Sequence, residues 1–196
     1  MYVESSLARS RASGYARGVT LIELLVTIVV LSLLLTLALP SMRDFIVGNR
    51  LSTHVNSFIG LANYARSEAI VRNQDVVVCP KNASTIACVS QTAWNTLEIQ
   101  AFVDENGNGE RDAAEVLLKT IAAVDPSDAQ TGFDSSSSAA KLIFGSAGFA
   151  RTAQSFKIYA KSSDSDYQAR FGRTVCVGKA GRLRVAAYTV TSCPDF

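Results

Sequence analysis

The feature that most constrains this chain is one long apolar stretch near its beginning, GVTLIELLVTIVVLSLLLTLALP, at residues 18–40. An α-helix rises about 1.5 Å per residue, so residues 19–39 would extend about 31 Å, close to the thickness of a bilayer's hydrocarbon core. We therefore predict a transmembrane helix over residues 19–40. One carboxylate, Glu23, interrupts the stretch, and an ionisable group inside a membrane helix is costly enough to indicate a function. The alternative is that Glu23 lies harmlessly among the lipid headgroups.

A short basic segment precedes the apolar stretch. Residues 1–18 carry three arginines against one glutamate, so the positive-inside rule keeps this leader in the cytoplasm and places the remainder of the chain across the membrane. A secretory signal peptide has small residues after its apolar run. Here Leu-Ala-Leu-Pro ends the run, and the small residue Gly18 precedes it. Cleavage after Gly18 would leave the apolar helix on the mature protein.

Charge is distributed unevenly along the chain, although the formal net charge is only +2. Residues 74–140 contain three bases and ten acids, whereas residues 141–196 contain nine bases and three acids. A basic end on a nearly neutral chain indicates a local anion-binding face. The alternative is that two solvated surfaces of opposite charge meet in the fold.

Four widely spaced cysteines, Cys79, Cys88, Cys176 and Cys193, include no C-x-x-C pair. A zinc site is not favoured, because the single histidine, His54, lies far from them in sequence. An even number of spaced cysteines fits two disulfides in an oxidising compartment. Three pairings are possible, and we favour the local one, Cys79–Cys88 with Cys176–Cys193. Four buried free thiols are the alternative.

Helical periodicity continues beyond the apolar stretch. Between residues 41 and 73 the spacing of apolar residues is mostly three or four, which is one face of a helix. These residues are Met42, Phe45, Leu51, Val55, Phe58, Ala62, Ala65 and Ala69. We predict an amphipathic continuation of the first helix over residues 41–73.

From residue 74 the pattern changes to short β-rich runs bounded by Gly, Asn, Asp or Ser. The runs are DVVVCP, STIACVS, LEIQAFVD, EVLLKTIAAVD, KLIFGSAG, QSFKIYAKS, RTVCVG and RLRVAAYTV. We predict a β-rich globular domain over residues 74–196, with the long N-terminal helix packed on a mostly antiparallel sheet. The fold class is therefore α+β.

The acidic segment DENGNGERDAAE, residues 104–115, fits the calcium-loop pattern D-x-N-x-N-G-x5-E. Its candidate oxygen donors are Asp104, Asn106, Asn108, Asp112 and Glu115. A calcium loop of this kind joins two helices, whereas this segment joins two strand-like runs, and Asn-Gly pairs also form tight hairpins. We favour a structural turn without a metal, and calcium is the weaker alternative.

A basic segment, GKAGRLRVAAY, lies near the end of the chain. Residues 179–181 predict a turn, after which Arg182 and Arg184 share one face of a strand because they are two residues apart. Guanidinium groups form paired hydrogen bonds with phosphate oxygens, so these arginines are candidates for binding DNA. Lys179 and Arg173 are added because they are close in sequence. The alternative is that exposed arginines protect an edge strand from aggregation.

Signatures of catalysis are missing from the sequence. It contains no G-x-S-x-G, no phosphate-binding loop and no plausible Cys–His pair. We predict that the chain is not an enzyme and uses no cofactor.

The segment ARGVTLIELL around Gly18 resembles the type IV prepilin signal. This resemblance implies that prepilin peptidase cuts after Gly18 and that the new first residue, Val19, is methylated. It also implies that Glu23 meets the N-terminal amine of a neighbouring pilin during assembly. Two features depart from the usual signal: Val19 stands where phenylalanine is common, and the leader is longer than most.

Three further segments, LANYARSEAIVRNQDVVVCP, FVDENGNGERD and GRTVCVGKAGRLRV, are similar to the GspH/FimT family of minor pilins and pseudopilins. The similarity covers nearly all of residues 19–196. It implies a single-pass protein of the bacterial inner membrane with a periplasmic domain, which then joins other major and minor pilins in a type IV pilus at the cell surface. The acidic segment recurs in this family, which is not generally described as calcium-binding.

Within this family, FimT-type minor pilins of naturally competent bacteria are associated with DNA binding through a G-R-x-R motif. Gly181, Arg182, Leu183 and Arg184 match that motif. The resemblance implies a minor pilin that binds extracellular double-stranded DNA, without sequence specificity, for uptake in natural transformation. Two alternatives remain: a structural minor pilin of the FimU kind that primes pilus assembly, and a GspH-type pseudopilin of type II secretion.

Overall fold

A computed structural model of the chain describes residues 18–89, 93–124, 131–135, 140–190 and 193, with only the backbone described for residues 37–41. Apart from Gly18, the predicted leader lies outside the described residues. The chain divides into two units, residues 1–43 and residues 44–196.

The first element, helix α1, runs from Leu21 to Arg72. The two predicted helical segments therefore belong to one helix. At its start the Thr20 hydroxyl accepts a hydrogen bond from the backbone N–H of Glu23 at 3.3 Å, which satisfies one of the free N–H groups of the first turn. Just past its end Asn73 has φ 54°, in the left-handed region that asparagine tolerates better than most residues.

In the first unit, α1 exposes apolar side chains all around the helix. Every side chain from residue 18 to residue 36 is exposed. The large apolar ones are Val19, Leu21, Ile22, Leu24, Leu25, Val26, Ile28, Val29, Val30, Leu31, Leu33, Leu34 and Leu35. Among the described residues, no helix has an apolar stretch long enough to span a membrane. The predicted span, residues 19–40, includes residues 37–40, whose side chains are not described.

Among the described residues of the second unit, eight strands form two four-stranded sheets in which all neighbouring strands are antiparallel. The strands of the first sheet are β1 Asp75–Pro80, β2 Ile99–Asp104, β3 Leu117–Ile121 and β5 Leu142–Phe144, in the order β3-β2-β1-β5. Those of the second are β4 Thr131–Ser135, β6 Gln154–Ala160, β7 Arg173–Val177 and β8 Leu183–Ala187, in the order β4-β6-β7-β8. A short helix, α2 Ser165–Phe171, follows β6. The predicted α+β class is confirmed, with two sheets in place of one.

One face of α1 packs in the core of the second unit. The predicted positions Leu51, Val55, Phe58, Ala62, Ala65 and Ala69 are all buried. The three alanines have no exposed surface, and their small side chains let the strands approach the helix closely. Met42 and Phe45 were predicted for the same face but are 58% and 64% exposed. Near Phe45 the helix contacts α2, since Phe171 lies against Gly48.

Aromatic rings join α1 to the second sheet. Phe58 of α1, Trp94, Phe133 of β4 and Phe156 of β6 form one cluster, with ring centroids 4.7 to 6.2 Å apart. The rings meet edge-on or tilted, which is the favourable arrangement for their quadrupoles. This cluster fixes the sheet against the helix and so positions the β7–β8 end of the molecule.

One predicted strand is wrong. Among the described residues of STIACVS, 84–89, there is no strand and only a single bridge, from Cys88 to Lys81. The Asn82 side chain accepts a hydrogen bond from the Ser84 N–H at 2.8 Å, so local turn chemistry prevails over β propensity. Strand β4 and helix α2 were not predicted. A signal for α2 was available, because Asp164 caps the helix by accepting from two backbone N–H groups.

Both disulfides have the predicted pairing, Cys79–Cys88 and Cys176–Cys193, each with a Cα–Cα distance of 5.6 Å. Cys79 packs with Val77 and Phe102 in a small cluster separate from the main core. The second disulfide ties the end of the chain to β7.

Candidate nucleic-acid interface

The predicted DNA-binding segment forms the hairpin between β7 and β8. The N–H of Gly181 donates to the carbonyl of Gly178 at 2.8 Å, and the N–H of Gly178 donates to the carbonyl of Arg182 at 3.0 Å. These bonds close a four-residue turn, residues 178–181. Arg182 directly follows the turn and Arg184 lies on β8, which is an edge strand. The hairpin therefore carries both arginines at one end of the second sheet.

Strand alternation determines which face Arg184 occupies. Its partner in register is Cys176, whereas the adjacent β7 residues Val175 and Val177 belong to the main core. Arg184 therefore lies on the face of the sheet away from the core. The side chains of Arg182 and Arg184 are exposed. Within the described part of the chain, no carboxylate forms an ion pair with either arginine.

The other two predicted basic residues lie at different places. Lys179 is exposed on the turn itself, next to Arg182. Arg173 begins β7 and pairs in register with Ala187, so it lies at the opposite end of the hairpin. Its guanidinium donates to backbone carbonyls nearby, including that of Gly172 at 2.7 Å. The structure thus groups Lys179, Arg182 and Arg184 and leaves Arg173 apart.

Gly181 has a conformation and surroundings that exclude other residues. Its φ is +73°, and a Cβ at this position would lie 2.0 Å from the carbonyl oxygen of Gly148 and 2.8 Å from Arg66 Nε. A left-handed φ costs a non-glycine residue about 1–2 kcal/mol even without such contacts. The glycine of the G-R-x-R segment is therefore required by the close approach of a second turn.

That second turn, residues 145–148, repeats the first in sequence and in bonding. Its sequence is G-S-A-G, against G-K-A-G at residues 178–181. Gly148 N–H donates to Gly145 O at 2.8 Å, and Gly148 has φ +77°. The N–H of Ala150 donates to the carbonyl of Lys179 at 3.0 Å, which links the two. We call residues 145–148 and 178–181 the twin turns.

Arg66 of α1 holds the twin turns together. Its Nε donates to Gly148 O at 2.9 Å and its Nη2 donates to Ala180 O at 3.1 Å. Hydrogen bonds from a charged donor typically contribute about 1.5–3 kcal/mol. Sequence analysis did not single out Arg66, because its partners lie 82 and 114 residues away. The repeated G-x-A-G was the one visible signal.

The segment after β8 is fixed on the same outer face as Arg184. Cys176, the partner of Arg184 in register, carries the disulfide to Cys193. The Thr174 hydroxyl lies 3.5 Å from the carbonyl of Tyr188 and 3.3 Å from that of Val190, within hydrogen-bonding distance of both. The chain end is thereby anchored next to the arginines.

Two tyrosines, Tyr159 on β6 and Tyr188 directly after β8, have raised pKa values. Burial raises the pKa of Tyr188, and the charge of Asp134 raises it further. Burial also raises the pKa of Tyr159, whose hydroxyl donates to Asp134 at 2.6 Å. Lys157 Nζ lies 4.9 Å from the centre of the Tyr188 ring. This part of the surface therefore carries one cation, one carboxylate and two neutral phenols.

The acidic loop, residues 104–115, is closed by its own side chains. Asp104 accepts a hydrogen bond from the N–H of Gly109 at 2.9 Å. The two oxygens of Glu115 accept from the N–H groups of Glu105 at 3.0 Å and Asp112 at 2.9 Å. These bonds connect both ends of the loop to its middle.

The remaining candidate calcium donors also bond inside this acidic loop. The amides of Asn106 and Asn108 donate to one oxygen of Asp112 at 2.7 and 3.1 Å. The Asn108 oxygen accepts from the N–H of Glu110 at 2.6 Å. Among the described residues, no three Asp, Glu, His or Cys side chains gather closely enough to hold a metal ion. The loop has the hydrogen bonding of a self-closed turn.

Residues of the predicted processing site lie at the start of the described chain. Gly18 and Val19 precede α1 and are exposed. Glu23 is exposed in the first turn of α1, where a negative charge interacts favourably with the helix dipole. The sequence T-L-I-E carries the S/T-x-x-E signal of a helix start, which sequence analysis missed, and the Glu23 N–H donates to the Thr20 hydroxyl.

The single histidine lies apart from both charged turns. His54 of α1 lines an apolar pocket of about 220 Å³ whose wall includes Ile99, Ile121 and Phe133. The four cysteines are all bonded in disulfides. Neither residue type therefore provides a nucleophile paired with a base.

Comparison with known proteins gives two family matches. The model of the type II transport protein GspH matches residues 54–181, and that of the prokaryotic N-terminal methylation motif matches residues 14–39. The first match includes the acidic loop, Arg66 and the twin turns. A comparison with curated proteins finds no match.

Solved structures of pilins have a similar fold. The crystal structure of the type IV minor pilin FimU of Pseudomonas aeruginosa (strain PAO1) matches with a TM-score of 0.52 and 18% identity, covering 74% of this chain and 96% of that one. The minor pseudopilin EpsH from the type 2 secretion system of Vibrio cholerae matches with a TM-score of 0.49 and 16% identity, covering 72% and 99%. At such identities the first likeness supports the fold alone.

The GspH model covers more than half of the chain, and the methylation motif covers the segment around Gly18. The helix-on-sheets architecture agrees with the fold of FimU. The chain therefore belongs to the GspH family, as a minor pilin or pseudopilin of the GspH/FimT kind.

Proposed function

We propose that this minor pilin binds extracellular double-stranded DNA, without sequence specificity, for uptake in natural transformation. One observation carries the proposal. The β7–β8 hairpin exposes Arg182 and Arg184 at a sheet edge, and no carboxylate of the described residues neutralises them. Arginines that the fold leaves without an acidic partner are available to an anionic ligand.

The mechanism is phosphate binding. A guanidinium donates two parallel hydrogen bonds to phosphate oxygens, and contacts of this kind position a duplex without reading its bases. Lys179 on the turn adds a third cation, whereas Arg173 lies too far along β7 to share the same phosphates. Few contacts make a single subunit a weak binder, so several subunits or other pilus proteins would supply avidity.

The N-terminal segment delivers the domain to the pilus under this proposal. Prepilin peptidase cuts after Gly18, Val19 is methylated, and Glu23 pairs with the N-terminal amine of a neighbouring pilin. The all-round apolar surface of α1 over residues 21–35 supports this role, because such a helix requires a lipid or protein environment. The protein would begin in the inner membrane and move to the cell surface with other major and minor pilins.

A DNA titration tests the site. Full-length protein in a mild detergent is titrated against a labelled duplex over a range of salt concentrations. Arg182→Gln/Arg184→Gln should lower the affinity about tenfold or more and reduce the slope of log affinity against log salt by about two. The control Arg43→Gln/Arg170→Gln removes the same charge from two exposed helix arginines and should have little effect. Equal affinities for the parent and the hairpin variant would refute the site.

The second candidate is a structural role in assembly, either priming a type IV pilus or serving a pseudopilus of type II secretion. The match to the family of the type II transport protein GspH supports this candidate. In cells, a deletion strain that keeps its pili and loses DNA uptake supports the DNA proposal. Loss of piliation, or loss of protein secretion, supports the structural role instead.

A further inference from the structure

We infer that Arg66 is a positioning residue for the DNA-binding hairpin, acting through the twin turns rather than by touching phosphate. This inference deepens the proposed function and rests on it. Arg66 lies on α1, outside the segment that carries Arg182 and Arg184, and its guanidinium bonds to one carbonyl in each turn.

The Arg66 guanidinium is bonded to backbone carbonyl groups. The Arg66 side chain is half-buried, and two of its nitrogens donate to Gly148 O and Ala180 O. A planar guanidinium that donates to two fixed acceptors is held in one orientation. Arg66 is therefore oriented by backbone groups of the protein, whereas Arg182 and Arg184 have no such carboxylate or carbonyl partner among the described residues.

The Arg66 bonds lie at the closest backbone contact of the hairpin. Gly181 packs so closely on Gly148 that a Cβ would lie 2.0 Å from the Gly148 oxygen. That oxygen is the same one to which Arg66 Nε donates. Arg66 thus bonds to Gly148 on one side of the closest backbone approach and to Ala180, the residue before Gly181, on the other. Gly181 in turn immediately precedes Arg182. Loss of the Arg66 bonds frees the turn that sets the direction of the arginine pair.

The 145–148 turn has two further contacts, one with the hairpin and one with α1. The Ala150 N–H donates to Lys179 O at 3.0 Å, and Ile70 of α1 lies against Gly148, where a Cβ would meet it at 2.7 Å. The 145–148 turn is therefore seated on α1 and forms a base for the 178–181 turn. Arg66 joins that base to the hairpin, so the hairpin geometry depends on a helix residue distant in sequence.

The test measures turn order and DNA affinity in the same full-length protein. Arg66→Met should speed amide hydrogen exchange at Gly148 and Gly181 about tenfold in the absence of DNA, because two charge-assisted bonds are lost. The same variant should weaken DNA binding about fivefold. Arg72→Met removes an arginine from the same helix whose partner is Glu68, and it should change neither quantity.

A conservative variant separates positioning from direct contact. Arg66→Lys keeps the charge but cannot hold two carbonyls in one plane, so exchange and affinity should both fall between the parent and Arg66→Met. If Arg66→Met fails to fold, Arg66→Lys still allows both measurements to be made. Fast exchange with parental DNA affinity in Arg66→Lys would overturn the inference in favour of a direct phosphate contact. Unchanged exchange in Arg66→Met would overturn it as well.

The proposed function can fail independently of the inference that Arg66 holds the twin turns. If Arg182→Gln/Arg184→Gln binds DNA as the parent does, the hairpin is not the DNA site and Arg66 has no role in positioning one. The exchange measurement, made without DNA, still decides whether Arg66 holds the twin turns.

Discussion

The acidic loop of residues 104–115 and the basic hairpin of residues 178–184 are both charged turns, but the fold treats their charges in opposite ways. In the acidic loop, the carboxylates of Asp104, Asp112 and Glu115 accept hydrogen bonds from the loop itself. In the hairpin, backbone bonds close the turn and the guanidinium groups of Arg182 and Arg184 remain exposed. A high density of charge in a sequence therefore does not by itself identify a binding site. A charged side chain is available to a ligand only if the fold leaves it exposed and not bonded to other groups of the protein.

Each of these regions also has a disulfide beside it. Cys88 donates its N–H to Glu110 of the acidic loop at 3.1 Å, and Cys176 lies opposite Arg184 on the neighbouring strand. The two regions can therefore be perturbed in parallel, by matched changes whose effects on stability and on DNA binding should separate.

The largest effect is expected from removing the disulfides. Cys79→Ala/Cys88→Ala and Cys176→Ala/Cys193→Ala should each lower the free energy of unfolding by about 3 kcal/mol in the chain-entropy account, measured by urea denaturation. Only the second pair should also weaken DNA binding by the folded protein, because it releases the chain end beside Arg184. Equal losses of DNA affinity in both variants would erase the distinction between the regions.

A smaller effect is expected from glycines that share one backbone conformation. Gly181→Ala should destabilise the protein by about 2–3 kcal/mol, because both the left-handed φ and the contact with Gly148 O oppose a Cβ. Gly107→Ala in the acidic loop has nearly the same φ, +74°, with open space around the Cβ, and should cost about 1 kcal/mol. Thermal unfolding of the two variants isolates the close approach. Equal shifts in melting temperature would mean that the hairpin relaxes to accommodate the Cβ at no extra cost in stability.

The next effect concerns the carboxylate that closes the acidic loop. Glu115→Gln leaves one oxygen for two backbone N–H groups and should cost about 1–2 kcal/mol of stability without altering DNA affinity. Glu105→Gln changes an exposed side chain of the same loop and is the matched control. Weaker DNA binding in Glu115→Gln would show that the loop and the hairpin are coupled.

The smallest expected effect is that of calcium. Since most of the candidate donor side chains already bond within the loop, millimolar calcium should leave the melting temperature equal to that measured with a chelator. One oxygen of Asp104 is buried without a hydrogen-bond partner among the described residues, which makes this experiment the sharpest check on the loop. A rise in melting temperature with calcium would make the loop a metal site, because binding to the native state stabilises it.

Much of the architecture was readable from local patterns. Spacings of three and four predicted the buried face of α1 from Leu51 to Ala69, and the even number of widely spaced cysteines predicted two disulfides. The local pairing, which we favoured among three possible pairings, is the one observed. The wrong strand, STIACVS, failed because Asn82 and the bonded Cys88 impose a turn that composition does not reveal. Strand β4, with the sequence TGFDS, looks like a turn in isolation and is a strand because β6 supplies its hydrogen bonds.

The sequence alone determined the elements whose causes are local: the apolar helix, the Thr20 cap, the hairpin turn and the residues of the G-R-x-R segment. Each depends on periodicity, propensity or contacts within a few residues. Tertiary structure decided which charged turn bonds its own charged side chains and which leaves them exposed. It also placed Arg66 between carbonyls 82 and 114 residues away. Those contacts depend on how α1 and the two sheets pack, and packing between distant segments has no signature in local sequence.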